Sequence, residues 1–322
     1  MPGIVMHHHF GRVVYSALPT DIKNKINNIN LYDFATNGPD PFMLTGYGKV
    51  KKAKYTALAE TMHNVNTQAF LINLVNRCRL NYDLFPYLCG FITHYYLDAI
   101  TNPYIFYKTG IYNPEIDNTI KYRGLTKRMI LDMDSYVIET YYGSNPNRFN
   151  VNTKLLKLKK IPASIHLDVN NLYKEIYNED NGAIIVNKSI KHQKLYYSAI
   201  LNPIGFMNRL LSNINGKTNK NELNNKSRYS TSFDVRKFDI FNFKHNVWSE
   251  PVNGEMRSIK SFFDLLDDSK TITIKCLESL YEYIFNDSQT IDLKDIIKDI
   301  SYYTGYPCSS NKKMSYFDIV FK

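Results

Sequence analysis

One segment constrains the fold more than any other: residues ~83–101 have the pattern of a helix that is apolar on almost every side. A helix of this kind is expected at the centre of a globular protein and not on its surface. It nevertheless carries His94 and Asp98, which are four residues apart and therefore lie on one face. A buried aspartate is costly unless it is hydrogen-bonded, paired or bound to a metal ion. A His–Asp hydrogen bond and a metal site both satisfy this pattern.

Helical periodicity dominates the rest of the chain, and few strand signals are present. The pattern predicts helices at about 7–17, 54–78, 83–101 and 124–142, then at about 169–178, 198–213, 257–286 and 291–303. The third of these is expected to end at Asn102-Pro103, because proline disfavours helical geometry in the residue before it. The fold class is predicted to be all-α. A single helical domain is expected over 1–322, with a metal-site half (1–150), a C-terminal helical half (151–322) and an exposed polar loop near 212–232.

The composition supports a globular protein with a basic surface. Of the 322 residues 44% are hydrophobic and 22% are charged, which excludes a disordered chain. The formal net charge of +10 favours phosphate-bearing partners such as lipid headgroups, nucleotides or nucleic acid, although solubility alone explains it equally well. The four cysteines show no metal-binding or disulfide spacing, which fits a reducing compartment.

No targeting or membrane segment is evident. The N-terminal residues lack the basic start, the long apolar stretch and the small-residue cleavage site of a signal peptide. No stretch reaches the roughly 20 uncharged apolar residues of a membrane span. The sequence therefore predicts a cytoplasmic protein, and it does not indicate an oligomeric state.

Two further residues extend the His–Asp pair into a possible metal site. His63 lies in the predicted helix at about 54–78, and Asp40 lies in a Gly-Pro-Asp turn. Taken singly, such a histidine is usually structural or exposed, and such an aspartate usually shapes its turn. Taken together, two histidines and two aspartates are the donors that a zinc site with nitrogen and oxygen ligands requires. We therefore predict one zinc site from Asp40, His63, His94 and Asp98.

Several motifs follow one another in an order that resembles a known family. They are MPGIVMHHHFG at 1–11, GPDPF at 38–42, His63, GFITHYYLD at 90–98, WSEP at 248–251 and SFFDL at 261–265. This set is similar to that of the bacterial zinc-dependent phospholipase C family, which is related to the fungal single-strand-specific nucleases. The similarity extends over nearly the whole chain, and the order is more specific than any single motif.

The resemblance implies a helical bundle of the phospholipase C and single-strand nuclease type, in which three zinc ions line a cleft and assist hydrolysis of a phosphoester bond. By this resemblance Asp40, His63, His94 and Asp98 match one full zinc site. His7 matches a ligand of a second site, which Asp98 would bridge. Asp40 also matches the carboxylate that is proposed as the general base.

The sequence departs from the family at the third zinc site. Asn102, Thr126 and Ile130 stand where the family has its three protein ligands, and isoleucine cannot bind a metal. Asp132 and Asp134 follow closely, and Asp134 is expected to pack or to cap a helix. The expected cofactor is therefore zinc, as one or two ions and not three.

The second zinc site also departs from the family pattern. In secreted family members the amino terminus that signal cleavage exposes helps to bind this ion. This sequence shows no signal peptide, and six residues precede His7, so His8, His9 or water would have to take the place of that ligand here. The resulting expectation is a zinc-dependent phosphoester hydrolase with one full and one partial site. The alternative is a catalytically degenerate relative that keeps zinc and binds a phosphate-bearing or protein partner.

Overall fold

A 25-residue helix, α7 (Phe85–Thr109), occupies the centre of the molecule. The computed structural model describes residues 1–46, 48–113, 115–200, 237–288 and 290–322. Almost every side chain of α7 from Phe85 to Thr109 is buried, His94 and Asp98 included. The prediction of a central, fully enclosed helix at this position is therefore confirmed.

The described part of the chain is mostly helical, in agreement with the predicted all-α class. Its only strands in these ranges, β1 (Trp248–Ser249) and β2 (Arg257–Ser258), pair antiparallel with Trp248 opposite Ser258. Short 3₁₀ turns occupy Tyr82–Leu84, Asp117–Tyr122, Pro146–Arg148, Ala163–Ile165 and Cys308–Ser310. The other helices are α1 (Ile4–Ala17), α2 (Thr20–Lys25), α3 (Ile29–Ala35), α4 (Asp40–Met43), α5 (Lys49–Asn64), α6 (Thr67–Leu80), α8 (Leu125–Tyr142), α9 (Val151–Lys154), α10 (His166–Tyr177), α11 (Gly182–Ile200), α12 (Phe262–Phe285) and α13 (Leu293–Ile296).

Helices α3 and α12 make the most extensive contacts with α7. The close approach of α3 depends on Gly90, because a Cβ atom at this position would lie 2.4 Å from the Cβ of Ala35 and 2.6 Å from the carbonyl oxygen of Tyr32. This contact places the turn that follows α3 against the middle of α7. Since Asp40 comes directly after that turn, the packing of α3 determines where Asp40 lies relative to His94.

Two groups of buried side chains form the core, and α7 contributes to both. The first group joins the N-terminal part of α7 to α3, α6, α10 and α12, with Phe70 and Phe91 in contact. The second group joins the C-terminal part of α7 to α8 and to the antiparallel pair of β1 and β2. In it the ring centroids of Tyr104 and Trp248 lie 5.3 Å apart. Both halves of the chain thus contribute to each group.

Three predicted helix boundaries were wrong, and each has a structural reason. Pro103 does not end α7, which continues to Thr109 because its packed surroundings hold it in place. The predicted helix at 54–78 is two helices, separated at Val65 and at Asn66 with its left-handed backbone (φ 57°). The predicted helix at 257–286 begins only at Phe262, where Ser261 and Asp264 form a capping box.

Other predictions met mixed outcomes. The predicted helix at 291–303 is helical only over Leu293–Ile296, and the residues that follow run back over α5, α6 and α7. The predicted helix at about 198–213 lies mostly outside the described residues, and the predicted loop near 212–232 lies entirely outside them.

No helix in the described ranges combines the length and the apolar character needed to cross a bilayer.

The contact at Gly90 can be tested by substitution. Gly90→Ala would force the new methyl group into α3, so we expect the free energy of unfolding to fall by about 1–3 kcal/mol in urea denaturation. Ala57→Ser, which adds one atom at an exposed helical position, is the control and is expected to change stability by no more than about 0.5 kcal/mol. Equal stability of the two variants would show that α3 and α7 are not in this close contact.

Candidate metal centre

Three elements bring Asp40, His63, His94 and Asp98 together. Asp40 is the first residue of α4, His63 lies in the last turn of α5, and His94 and Asp98 are one turn apart on α7. One ligand atom from each residue lies within 4.8 Å of the ligand atoms of the other three. The four residues predicted from the sequence thus form one cluster.

The distances in this cluster are close to those of a tetrahedral metal site. Nε2 of His63 lies 3.2 Å from Oδ1 of Asp40 and 3.8 Å from Oδ2 of Asp98. Nε2 of His94 lies 3.6 Å from the same Oδ2 of Asp98. Four ligands about 2.0–2.1 Å from a tetrahedral zinc ion would be separated from one another by ~3.3 Å. The pairs at 3.6 and 3.8 Å would close by about 0.5 Å or less, and the group as a whole, whose ligand atoms lie within 4.8 Å of one another, would contract around the ion.

Backbone carbonyls fix the orientation of both imidazoles. Nδ1 of His63 lies 2.7 Å from the carbonyl oxygen of Ala59, and Nδ1 of His94 lies 3.3 Å from that of Thr36. Because a carbonyl oxygen can only accept, each Nδ1 carries the proton and donates it. The neutral ring then directs the lone pair of Nε2 towards the cluster. This is the arrangement in which protein histidines usually bind metals.

The atoms that face each other in the cluster have no hydrogen-bond partners. Nε2 of His63, Nε2 of His94, Oδ1 of Asp40 and both carboxylate oxygens of Asp98 are buried and unpaired. The side chains of His63, His94 and Asp98 are 0% exposed, whereas that of Asp40 is 20% exposed. Buried polar atoms are nearly always satisfied, and here acceptors face acceptors. A cation between them resolves this conflict, so the group can hold a metal ion.

The same surroundings shift the pKa values of the four groups in different directions. Burial would raise the pKa of Asp40, but the His63, His94 and His7 rings beside it outweigh burial and hold it at about 2. Burial and the charge of Asp40 raise the pKa of Asp98 to about 7. Burial lowers the pKa of His94 well below its usual value. Burial opposes the charged form of His63 too, but the two carboxylates raise its pKa overall.

A glycine allows the turn before α4 to approach the cluster. Gly38 has a left-handed backbone (φ +48°), and a Cβ atom there would lie 2.3 Å from Cδ2 of His94. Any other residue would therefore displace the His94 ring and strain the backbone. The GPDPF motif thus has a physical reason: its glycine lets the turn lie flat on one histidine while the next residues aim Asp40 at the ion position.

His7 lies beside the cluster and faces the second oxygen of each carboxylate. Its Nε2 is 3.3 Å from Oδ1 of Asp98 and 3.6 Å from Oδ2 of Asp40. Its ring stacks on that of His94 with 4.7 Å between centroids, and burial lowers its pKa to about 4. Each carboxylate thus directs one oxygen towards His63 and the other towards His7. One oxygen of Asp98 therefore faces His63 and His94, and the other faces His7.

The other two histidines of the triplet face away from the cluster. Nδ1 of His8 lies 2.7 Å from the hydroxyl of Tyr142, and its Nε2 lies 3.6 Å from the carboxylate of Asp33. The ring of His9 stacks on Tyr141 at 4.2 Å. Neither side chain takes the place of an additional ligand next to His7.

The three positions at which the resemblance implied substituted zinc ligands make other contacts. The amide of Asn102 donates to the carbonyl oxygen of Tyr302 at 2.9 Å. The hydroxyls of Thr126 and Thr109 lie 3.0 Å apart at the end of α7, and Ile130 is partly buried. Asp134 caps a helix, as predicted, through hydrogen bonds from Val5 and Met6.

Sequence reasoning missed a second feature of the site, the C-terminal strap (residues 296–307). The Tyr302 ring packs edge-on against His63 and His94, and the Tyr303 ring stacks on His63 at 4.9 Å. The backbone N–H of Tyr302 donates to the carbonyl oxygen of His63. The Tyr302-Tyr303 pair was visible in the sequence, but nothing local indicated its partners more than 200 residues away.

Comparisons with protein-family models, with curated proteins and with solved structures return no match for this chain.

Protons and a metal ion compete for this cluster, which makes metal affinity pH-dependent. The ion requires neutral His63 and ionised Asp98, and the pKa values of both groups are raised, that of Asp98 to about 7. Asp98 takes up a proton as the pH falls through about 7, and the raised pKa of His63 makes this ring a second competitor, so affinity should fall as the pH falls, by roughly tenfold per pH unit for each competing proton. Calorimetric zinc titrations at pH 8, 7 and 6 would measure this. Equal affinity at all three pH values would contradict it.

Proposed function

We propose that this protein is a zinc-dependent phosphoester hydrolase that resembles the phospholipase C family. The observation that carries the proposal is the buried group of two nitrogen and two oxygen acceptors with no donor among them. Zinc suits such a mixed set at near-tetrahedral spacing better than calcium or magnesium, which prefer oxygen ligands in larger numbers. The described cysteines are free and are not part of the group.

His7 supports a second, partial site next to the first. It meets the outward oxygens of Asp98 and Asp40 at 3.3 and 3.6 Å, which leaves one histidine and two shared carboxylates for a second ion. Zinc sites that do chemistry keep a coordination position open for water or substrate, whereas structural sites are closed. A site with so few protein ligands has such open positions. One full and one partial zinc site are therefore the proposed content.

Each side chain of the centre has its own proposed role in hydrolysis. Bound zinc would supply the Lewis acid that polarises a phosphoryl oxygen and makes a water more acidic. Asp40 is 20% exposed, in contrast to the enclosed Asp98, so the centre meets solvent on the side of Asp40. The low pKa of Asp40 keeps it ionised at neutral pH but makes it a weak base, so the proposed proton transfer to Asp40 would depend on zinc making the water more acidic. His63, His94 and Asp98 would hold the ion together with Asp40.

The proposed substrate class is a phosphate ester, for which the net charge of +10 is favourable. A phospholipid headgroup, a nucleotide and nucleic acid all carry this group. Asn102, Thr126 and Ile130 stand where the resemblance implies the ligands of a third zinc ion. Without that ion less charge is neutralised in the transition state, which favours a second candidate, a zinc-binding relative without turnover. A comparison of zinc binding with turnover separates the two.

Turnover should depend on His94 and not on a histidine outside the centre. Zinc-loaded protein is expected to hydrolyse at least one of three probes: a chromogenic phosphorylcholine ester, a nucleotide and a simple phosphate monoester. His94→Ala should lower the rate by more than about 100-fold, because it removes a metal ligand. The control is His245→Ala, which removes an imidazole that is 52% exposed.

The outcomes of this assay are distinct. If the wild-type protein binds zinc but hydrolyses none of the probes, the non-catalytic candidate is correct. If the wild-type protein binds no zinc, both candidates are wrong. If His245→Ala loses as much activity as His94→Ala, the activity does not arise at this centre.

A further inference from the structure

His7 lacks the hydrogen bonds that orient the other two histidines of the centre. His63 and His94 each donate from Nδ1 to a backbone carbonyl, whereas neither ring nitrogen of His7 has a hydrogen-bond partner. The His7 side chain is 1% exposed and rests on the His94 ring. Because no side-chain hydrogen bond holds it, the position of its Nε2 depends on where the first turn of α1 lies.

Asp134, a buried carboxylate from another helix, holds that first turn. Its Oδ1 accepts a hydrogen bond from the backbone N–H of Met6 at 3.0 Å, and its Oδ2 accepts one from Val5 at 3.3 Å. The N-cap residue of α1 is Gly3, which has no side chain and therefore cannot satisfy these donors. Asp134 takes the role that an N-cap side chain normally has, from a position 128 residues further along the chain.

The fit between Asp134 and α1 is tight and largely enclosed. Asp134 is 2% exposed, and a Cβ atom on Gly3 would lie 2.2 Å from its Oδ2. Burial raises the pKa of Asp134 to about 7, while the N–H groups of Met6 and Val5 and the positive end of the helix dipole favour its charged form. The amides of Val5 and Met6 directly precede His7, so a shift of this turn would move the imidazole away from Asp98 and Asp40.

We propose that Asp134 is a positioning residue for His7, which it aims at the second ion position by fixing the start of α1. The proposal rests on the proposed function, in which His7 binds the second zinc ion. Asp134 is not among the candidate ligands. Its effect on metal binding must therefore disappear when His7 is absent.

A double-mutant cycle on zinc affinity tests this dependence. The four proteins are wild type, Asp134→Asn, His7→Ala and the double variant, each titrated with zinc by calorimetry. Asparagine keeps one acceptor oxygen but turns an N–H₂ group towards a backbone donor, so the cap is broken with little change in volume. We expect Asp134→Asn to lower the affinity for the second zinc ion by ~10–100-fold, which is the usual effect of removing a residue that orients a metal ligand. In the His7→Ala background it should have no further effect.

Two more proteins make the test specific. Gly3→Ala leaves Asp134 intact but places a methyl group against its carboxylate. It should therefore also lower the affinity for the second zinc ion. Asp264→Asn breaks the capping box of α12, a helix without a candidate ligand, and should leave both zinc affinities unchanged. Hydrogen exchange of the Val5 and Met6 amides, measured without zinc, should accelerate in Asp134→Asn and not in Asp264→Asn.

The outcomes separate this proposal from the proposed function. If His7→Ala weakens zinc binding but Asp134→Asn does not, or does so equally in both backgrounds, the positioning role is wrong and the two-ion centre stands. If His7→Ala leaves the zinc titration unchanged, the second ion of the proposed function is wrong, and the positioning role falls with it.

Discussion

The convergence of buried acceptor atoms around one point is the constraint on which the rest of this structure depends. Two imidazole nitrogens and the oxygens of two carboxylates face one another without a hydrogen-bond donor, and three of the four side chains are fully enclosed. Such an arrangement is unfavourable by itself, because each unpaired buried polar atom costs roughly 1–3 kcal/mol. It becomes favourable with a cation at the centre, and the fold around it serves to keep the ligands in place.

Contacts from distant parts of the chain hold this arrangement. Gly90 allows α3 to approach α7, and Gly38 then lays the turn before α4 on the His94 ring. From the other end of the chain, the C-terminal strap packs Tyr302 and Tyr303 on the histidines. Asn102 on α7 tethers this strap by a hydrogen bond to the carbonyl oxygen of Tyr302. Both ends of the chain and the middle of α7 thus support the arrangement of the four ligands.

The parts of the structure that could be predicted from sequence are those with a local signal. The central helix follows from an apolar run that contains only one His–Asp pair, and the cluster of Asp40, His63, His94 and Asp98 follows from residue types with a known metal preference. Pro103 misled the prediction because packing overrode a local preference. The roles of Asp134 and the strap could not be predicted, because their partners lie more than 100 residues away and leave no periodic pattern.

X-ray absorption at the zinc edge tests the central claim most directly. Protein equilibrated with zinc and then dialysed should retain the ion with a shell of nitrogen and oxygen atoms at about 2.0–2.1 Å and an imidazole signal from two histidines. A sulfur shell at about 2.3 Å would place the ion at cysteines and not at this cluster. Loss of all zinc on dialysis would contradict the account in full, because the buried acceptors would then have no cation to bind.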